Sequence, residues 1–398
     1  MKRLAHIVLL LTGAVAYQGC VTPIDSESIA FDDLLVVEGL FTNQSTKHWV
    51  KLSRTVQINS TEVRPVSGAT ITIESEDQVV LRFEEDKPGY YLSVNPFFAR
   101  FDIKYKLRII TEEGAEYESS EVEMVPTPPI DRVYAEFIPE FENPSDPVLK
   151  SEGRFNFYLD VTNNSTPTRS FRYLWTETYK IKVPNPSRWK WLGGNDFEFR
   201  REDIPEMQEE FCFRHDSSSQ IILSDSYATD GEILAFPIHS FQANREMNIR
   251  YSFEVSQYGL SADAERYWKG LAISSQSQGS LFDLQPGTII GNIRSVNNPD
   301  EIVLGIFEVV QEERYRVFYY ASDFFNQGFA TFTNNWIDCN QELVTVPELE
   351  AGPYMIENND DQELLFYISG GGGAVFGLRR CALCTLYGTN VQPSYWID

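Results

Sequence analysis

Residues 34–398 predict a mainly β protein: a β-sandwich at the front, then a larger β-rich domain with one or two short helices. Three observations carry that reading. Short alternating apolar runs (34–41, 48–56, 69–75, 78–84, 89–94, 105–111 and 115–125) succeed one another between Gly, Pro, Asn and acidic turns. About seven such runs in some ninety residues is a sandwich pattern. Further runs of the same kind recur at 154–162, 172–183, 248–258, 301–310, 314–322 and 363–370. Aromatic residues reach 14% of the chain, and Tyr, Phe and Trp favour strands and fill sandwich cores.

The chain begins with a positive segment, Lys2-Arg3, and an apolar run from Ile7 to Ala16 that leads to Gly19-Cys20. That layout reads as a signal peptide over 1–19, and the run is too short to span a bilayer. The Gly-Cys junction resembles a bacterial lipobox, although Tyr17 stands where Leu is usual. The resemblance implies lipidation of Cys20, with residues 20–33 as an acidic tether. Removing Lys2 and Arg3 leaves 31 basic against 58 acidic side chains, a net −27. That balance argues against nucleic acid or anionic lipid head groups as partners, since both need basic clusters.

Residues 34–126 are expected to fold as an autonomous sandwich. Pro126-Thr-Pro-Pro129 marks the boundary, because proline cannot donate to a ladder, and 130–398 forms the second domain. One helix is expected there, capped by Ser261, with Ala264, Tyr267, Trp268, Leu271 and Ala272 at helical spacing.

Four cysteines lie beyond Cys20: Cys212, Cys339, Cys381 and Cys384. An even count in an exported chain favours two disulfides, with three connectivities open. Cys381-Ala-Leu-Cys384 also admits a zinc or a redox reading, but the run from Thr385 to Asn390 beyond it does not read as a helix. Only His48, His215 and His239 survive maturation, and none sits in a catalytic motif. His48 reads as a surface or turn residue. Gly370 to Gly373 lacks the Lys-Ser/Thr of a phosphate loop and reads as a turn between strands. The stretch Glu357 to Glu363 offers oxygen atoms without the calcium-loop order, so calcium is an unsupported option and no other cofactor is expected. Tyr179 to Trp191 forms a basic, aromatic island. It reads as a hairpin turning at Pro184-Asn-Pro186, with Tyr179, Lys180, Lys182, Arg188, Trp189, Lys190 and Trp191 as candidate partner contacts.

The order Gly68-Ala69-Thr-Ile-Thr-Ile, Gly89-Tyr90-Tyr91 and Tyr105-x-Leu107 resembles the transthyretin-like module of carboxypeptidases and of outer-membrane receptors. Leu35-Val-Val-Glu-Gly39, Ser280-Leu-Phe-Asp283 with Pro286, Gly291-Asn-Ile293, Val303-Leu-Gly305, and Cys381-x-x-Cys384 with Pro393-x-x-Trp396 together resemble an uncharacterised family of Bacteroidota outer-membrane lipoproteins, domain of unknown function 4249. The resemblance implies an exported lipoprotein, often encoded beside a TonB-dependent receptor-like barrel, and implies no reaction; the leading expectation is a non-enzymatic, outer-membrane, surface-facing accessory of such a barrel. Free-standing capture of a glycan or other ligand by exposed Trp and Tyr is the alternative, and a hydrolase is a third.

Overall fold

A computed structural model describes residues 33–56, 62–140, 153–186, 189–193, 196–199, 210–276, 289–331, 339, 344–358, 364–370 and 373–398. In chain order the first strands are β1 (Leu35–Thr42), β2 (Trp49–Arg54), β3 (Arg64–Pro65), β4 (Thr70–Ser75), β5 (Val80–Lys87), β6 (Tyr90–Ser93), β7 (Lys104–Ile110), β8 (Glu116–Ser119) and β9 (Val122–Glu123). They match the apolar runs closely, because alternation places every second side chain inside. Leu35, Val37 and Phe41 of β1 pack with Ile71 and Ile73 of β4 and with Tyr105, Leu107 and Ile109 of β7.

After these come β10 (Arg132–Pro139), β11 (Gly153–Thr162), β12 (Ser170–Lys182), β13 (Trp189–Gly193), β14 (Asp196–Phe199), β15 (Phe211–Ser217), β16 (Ile222–Asp225), β17 (Glu232–Gln242) and β18 (Arg250–Gly259). Helix α1 (Ala262–Gln276) leads to β19 (Ile293–Ser295), β20 (Leu304–Val310) and β21 (Glu312–Tyr320). Ser261 Oγ accepts the Ala264 N–H at 3.2 Å, the cap read from the sequence. The sheet β10-β11-β17 faces the sheet β15-β12-β18-β21 across a core rich in rings, with Phe157 and Phe253 at 4.3 Å between centroids.

The expected boundary at Pro126–Pro129 does not bound the first sheet, which is not built from residues 34–126 alone. The first sheet runs β19-β8-β7-β4-β5-β6-β2-β1-β20, so its two outermost strands come from beyond residue 290. β20 pairs in parallel with β1 from Val36↔Leu304 to Thr42↔Val310. On its other side, Val125 N–H donates to Val309 O at 3.0 Å. Asn292 acts there as a one-residue strand: its Nδ2 donates to Phe307 O at 2.8 Å and its Oδ1 accepts the Phe307 N–H at 2.9 Å. The Pro126–Pro129 segment is pinned as well. Gln257 Nε2 donates to Pro128 O at 2.7 Å, Thr168 Oγ1 to Pro126 O at 2.6 Å, and Gly259 N–H to Thr127 Oγ1 at 2.9 Å.

Three of the scattered family-like stretches therefore meet at one seam. Gly305 has φ +105°, and a Cβ there would lie 1.8 Å from Val37 O; a Cβ on Gly291 would lie 1.6 Å from Gly305 O. Only glycine permits this backbone-on-backbone approach. Gly305→Ala should lower stability by roughly 3 kcal/mol or more, from strain plus displaced backbone. A urea midpoint within error of the parent would show that the seam can shift freely. Ser280 to Asp283 and Pro286 lie outside the described residues.

At the C-terminus are β22 (Val344–Val346), α2 (Ala351–Asn358), β23 (Leu364–Gly370), β24 (Gly373–Leu378) and α3 (Arg379–Ala382). β23 and β24 form a hairpin that closes at Gly370↔Gly373. The disulfides are Cys212–Cys384 and Cys339–Cys381, with Cα atoms 5.4 and 5.6 Å apart. The Cys-x-x-Cys pair thus ties α3 to two separate places. The tail is used too: Trp396 packs edge-on against Phe213 and Phe318, and Arg250 Nε donates to Ile397 O at 3.0 Å.

Candidate functional site

The Tyr179–Trp191 hairpin is not what forms, because both edges of β12 are already taken. β12 pairs with β15 (Lys182↔Phe211) on one side and with β18 (Tyr179↔Tyr251) on the other, while β13 pairs with β14, Trp189 opposite Phe199. Tyr179 is 3% exposed and stacks on Tyr251 in the core, which corrects its placement as a partner contact. Lys180 Nζ meets Asp398 Oδ1 at 2.9 Å and Lys182 Nζ meets Glu210 Oε1 at 3.1 Å. Neither lysine is an unopposed charge. Trp189, Lys190 and Trp191 lie on β13; Arg188 lies outside the described residues, as do Cys20 and residues 359–363 of the acidic stretch.

His48 also differs from its reading. It is 4% exposed, its Nε2 lies 2.9 Å from Phe97 O, and its ring meets Phe41 edge-on. A polar ring one residue before Trp49 is drawn inside because the turn around Phe97 folds over it. Burial lowers its pKa, as expected for an imidazole taken out of water.

The feature that stands out is an open cleft of about 520 Å³ along β17, lined by residues of both sheets of the second sandwich. Tyr158 of β11, Trp175 of β12 and His239 of β17 line it with rings, and Pro237 and Ile238 add apolar surface. Asn156, Ser218, Ser219, Gln220 and Ser240 supply amides and hydroxyls. None of the ten lining residues is Lys, Arg, Asp or Glu. Several are held in place by neighbours. Ser218 Oγ accepts the Trp175 N–H at 3.1 Å, and Ser240 Oγ donates to Asn156 Oδ1 at 2.7 Å while accepting from Arg154. Tyr158 stacks on Tyr134, centroids 5.5 Å apart, and Arg132 lies over Tyr134.

Beneath the cleft, Glu177 sits on the buried face of β12, two residues from Trp175. Its Oε2 accepts the Tyr251 hydroxyl and lies 3.6 Å from His239 Nε2. The spacing suits an ion pair, but burial acts against one. Desolvation pushes the Glu177 carboxyl up to about 7, with the Tyr251 hydrogen bond pulling down and Glu246 and Asp216 pushing further up. Desolvation holds His239 down at about 4. Between about pH 4 and 7, therefore, the carboxyl keeps its proton and the imidazole under the cleft is neutral. Sequence reading missed this group, although a signal was present: Phe171, Tyr173, Trp175, Glu177, Tyr179 and Ile181 share one face, and Glu177 is the acid among them.

These shifts make stability depend on pH. Between the ordinary carboxyl range and pH 7 the folded chain holds a proton that the unfolded chain has released, so Glu177's contribution falls as pH rises through that window. His239 acts oppositely, costing stability as pH falls from 6.5 towards 4. Glu177→Gln should therefore stabilise by roughly 3 kcal/mol at pH 8 and much less at pH 5, at about 1.4 kcal/mol per pKa unit. Urea midpoints at the two pH values test it, and equal shifts at both would refute it.

Among known proteins, a family model described as "Domain of unknown function (DUF4249)" matches residues 21–316. No curated protein matches the chain. A solved structure of a membrane-anchored protein from Corynebacterium diphtheriae aligns at 12% identity over 70% of this chain, with a TM-score of 0.15. The alignment spans 62% of that protein's length, less than two thirds of it.

Proposed function

The chain belongs to the DUF4249 family, and from that premise we propose that it is a non-enzymatic, lipid-anchored lipoprotein of the bacterial outer membrane that captures a ligand for a TonB-dependent receptor-like barrel. Lys2-Arg3, the apolar run and Gly19-Cys20 support export and anchoring, and an acidic segment with a transthyretin-like first sheet then lifts the binding body from the membrane. The observation that carries the binding role is the cleft, whose rings, amides and hydroxyls are suited to holding a ligand. Free-standing capture with no barrel is the second reading, favoured by the same cleft.

Cys20→Ser should move the protein from the outer-membrane fraction to the soluble one, or leave its signal uncut. A variant that fractionates like the parent, in a protein whose intact mass carries no lipid, would sink the anchoring. For the partner, an affinity tag belongs in the exposed turn at Glu112–Gly114, because the C-terminal residues are packed. Pull-down from native membranes should recover a β-barrel protein. Recovery of the lipoprotein alone would leave free-standing capture.

A further inference from the structure

We propose that the cleft between β17 and the Ser218–Gln220 segment binds a short, neutral saccharide. The inference rests on the cleft being the ligand site and assigns the class of ligand. A charged ligand would require an opposite charge, and the cleft presents none of its own. The flanking Arg154 is hydrogen-bonded to Ser240 through Nε and Nη2, at 3.2 and 3.1 Å. In a chain of net charge −25 an anionic ligand would also be repelled on approach.

What remains is a ligand that is uncharged, rich in hydroxyls, and apolar on part of its surface. Saccharides combine those properties: C–H faces that pack on rings, and hydroxyls that both donate and accept. Tyr158 and Pro237 serve the first need and Asn156, Ser219 and Gln220 the second. The site is prearranged, since Tyr134 backs the Tyr158 ring and Ser240 orients Asn156 without using the Asn156 amide N–H donors. Prearranged side chains lose little freedom on binding. Among the described residues, the Gln220 side chain and the Tyr158 hydroxyl have no hydrogen-bond partner, so they are available to a ligand.

An extended peptide would instead add as a strand along β17, whose only ladder partner among the described residues is β11. That edge is a poor template. Pro237 has no N–H, and the ladder shifts register between Phe157 and Tyr158 and again between Leu159 and Val161.

The test uses the full lipidated protein in detergent, titrated with linear oligosaccharides of glucose, mannose, xylose and N-acetylglucosamine, with oligogalacturonates, and with an extended-peptide library. At least one neutral oligosaccharide should bind. Tyr158→Ala and Gln220→Ala should each weaken it about ten-fold or more, with unchanged circular dichroism, while Phe101→Ala, in the exposed turn before β7, leaves it unaltered. Binding only of oligogalacturonates or peptides, binding of no saccharide, or neutral binding indifferent to both cleft variants would each overturn the assignment. Saccharide binding at the cleft without any barrel in the pull-down would retain the saccharide site and remove the accessory role.

Discussion

Residues 33–126 expressed alone should show no cooperative unfolding transition, whereas the same segment joined by a linker to residues 289–311 should regain one. The reason lies at β20. Without it, β1 loses a seven-residue parallel ladder from Val36↔Leu304 to Thr42↔Val310, and its backbone edge is left open. The core loses more. Val303, Phe307 and Val309 are 0–2% exposed and Ile293 is 5% exposed, all in the first sheet's cluster. At about 1.5–3 kcal/mol per buried apolar side chain, four such losses remove roughly 6–12 kcal/mol. A whole domain is stable by only about 5–15 kcal/mol. Circular dichroism against urea checks this, and a sharp sigmoidal transition for 33–126 alone would show that β1 to β9 suffice.

Arg172→Met should destabilise the protein by about 3–5 kcal/mol, and adding Glu308→Leu should recover most of the loss. Arg172 on β12 and Glu308 on β20 meet at 3.4 Å, with side chains 8% and 4% exposed. This ion pair therefore joins the second sandwich to the strand that completes the first sheet. The guanidinium lies between the rings of Trp268 and Tyr258, at 4.3 and 4.9 Å, and Trp268 Nε1 donates to Glu308 Oε2 at 3.0 Å. The pair is incompletely satisfied: Arg172 Nε and Glu308 Oε1 have no hydrogen-bond partner. Removing one charge strands the other in a dry site, whereas removing both leaves an apolar contact. Burial pushes the Glu308 carboxyl up and Arg172 holds it down. Without Arg172 the folded chain keeps that proton to higher pH, so the single variant's deficit should widen as pH rises above the carboxyl range. Urea midpoints at pH 5 and 8 for the single and double variants decide it. A single variant within about 1 kcal/mol of the parent would mean the charges are solvated after all.

Local pattern in the sequence was enough for the elements themselves. Period-2 alternation located β1, β2, β4 to β8, β11, β12, β18 and β21, since each strand's own pleat sorts its side chains whatever it pairs with. Ser261 announced α1 because a cap bonds its own first turn. The even cysteine count pointed to two bridges, and their pairing, Cys212–Cys384 and Cys339–Cys381, was settled only by where α3 comes to rest. The same holds for β20. Its residues read as a strand, but six of its seven residues are buried, and nothing in that run says that its neighbour lies some 270 residues earlier. His48 and the cleft are alike in this, for Asn156, Tyr158, Trp175, Gln220 and His239 come from three strands and a connecting segment. Secondary structure depends on neighbours along the chain. The seam, the buried Arg172–Glu308 pair and the cleft depend on which faces meet, and only the packing of one sheet on another determines that.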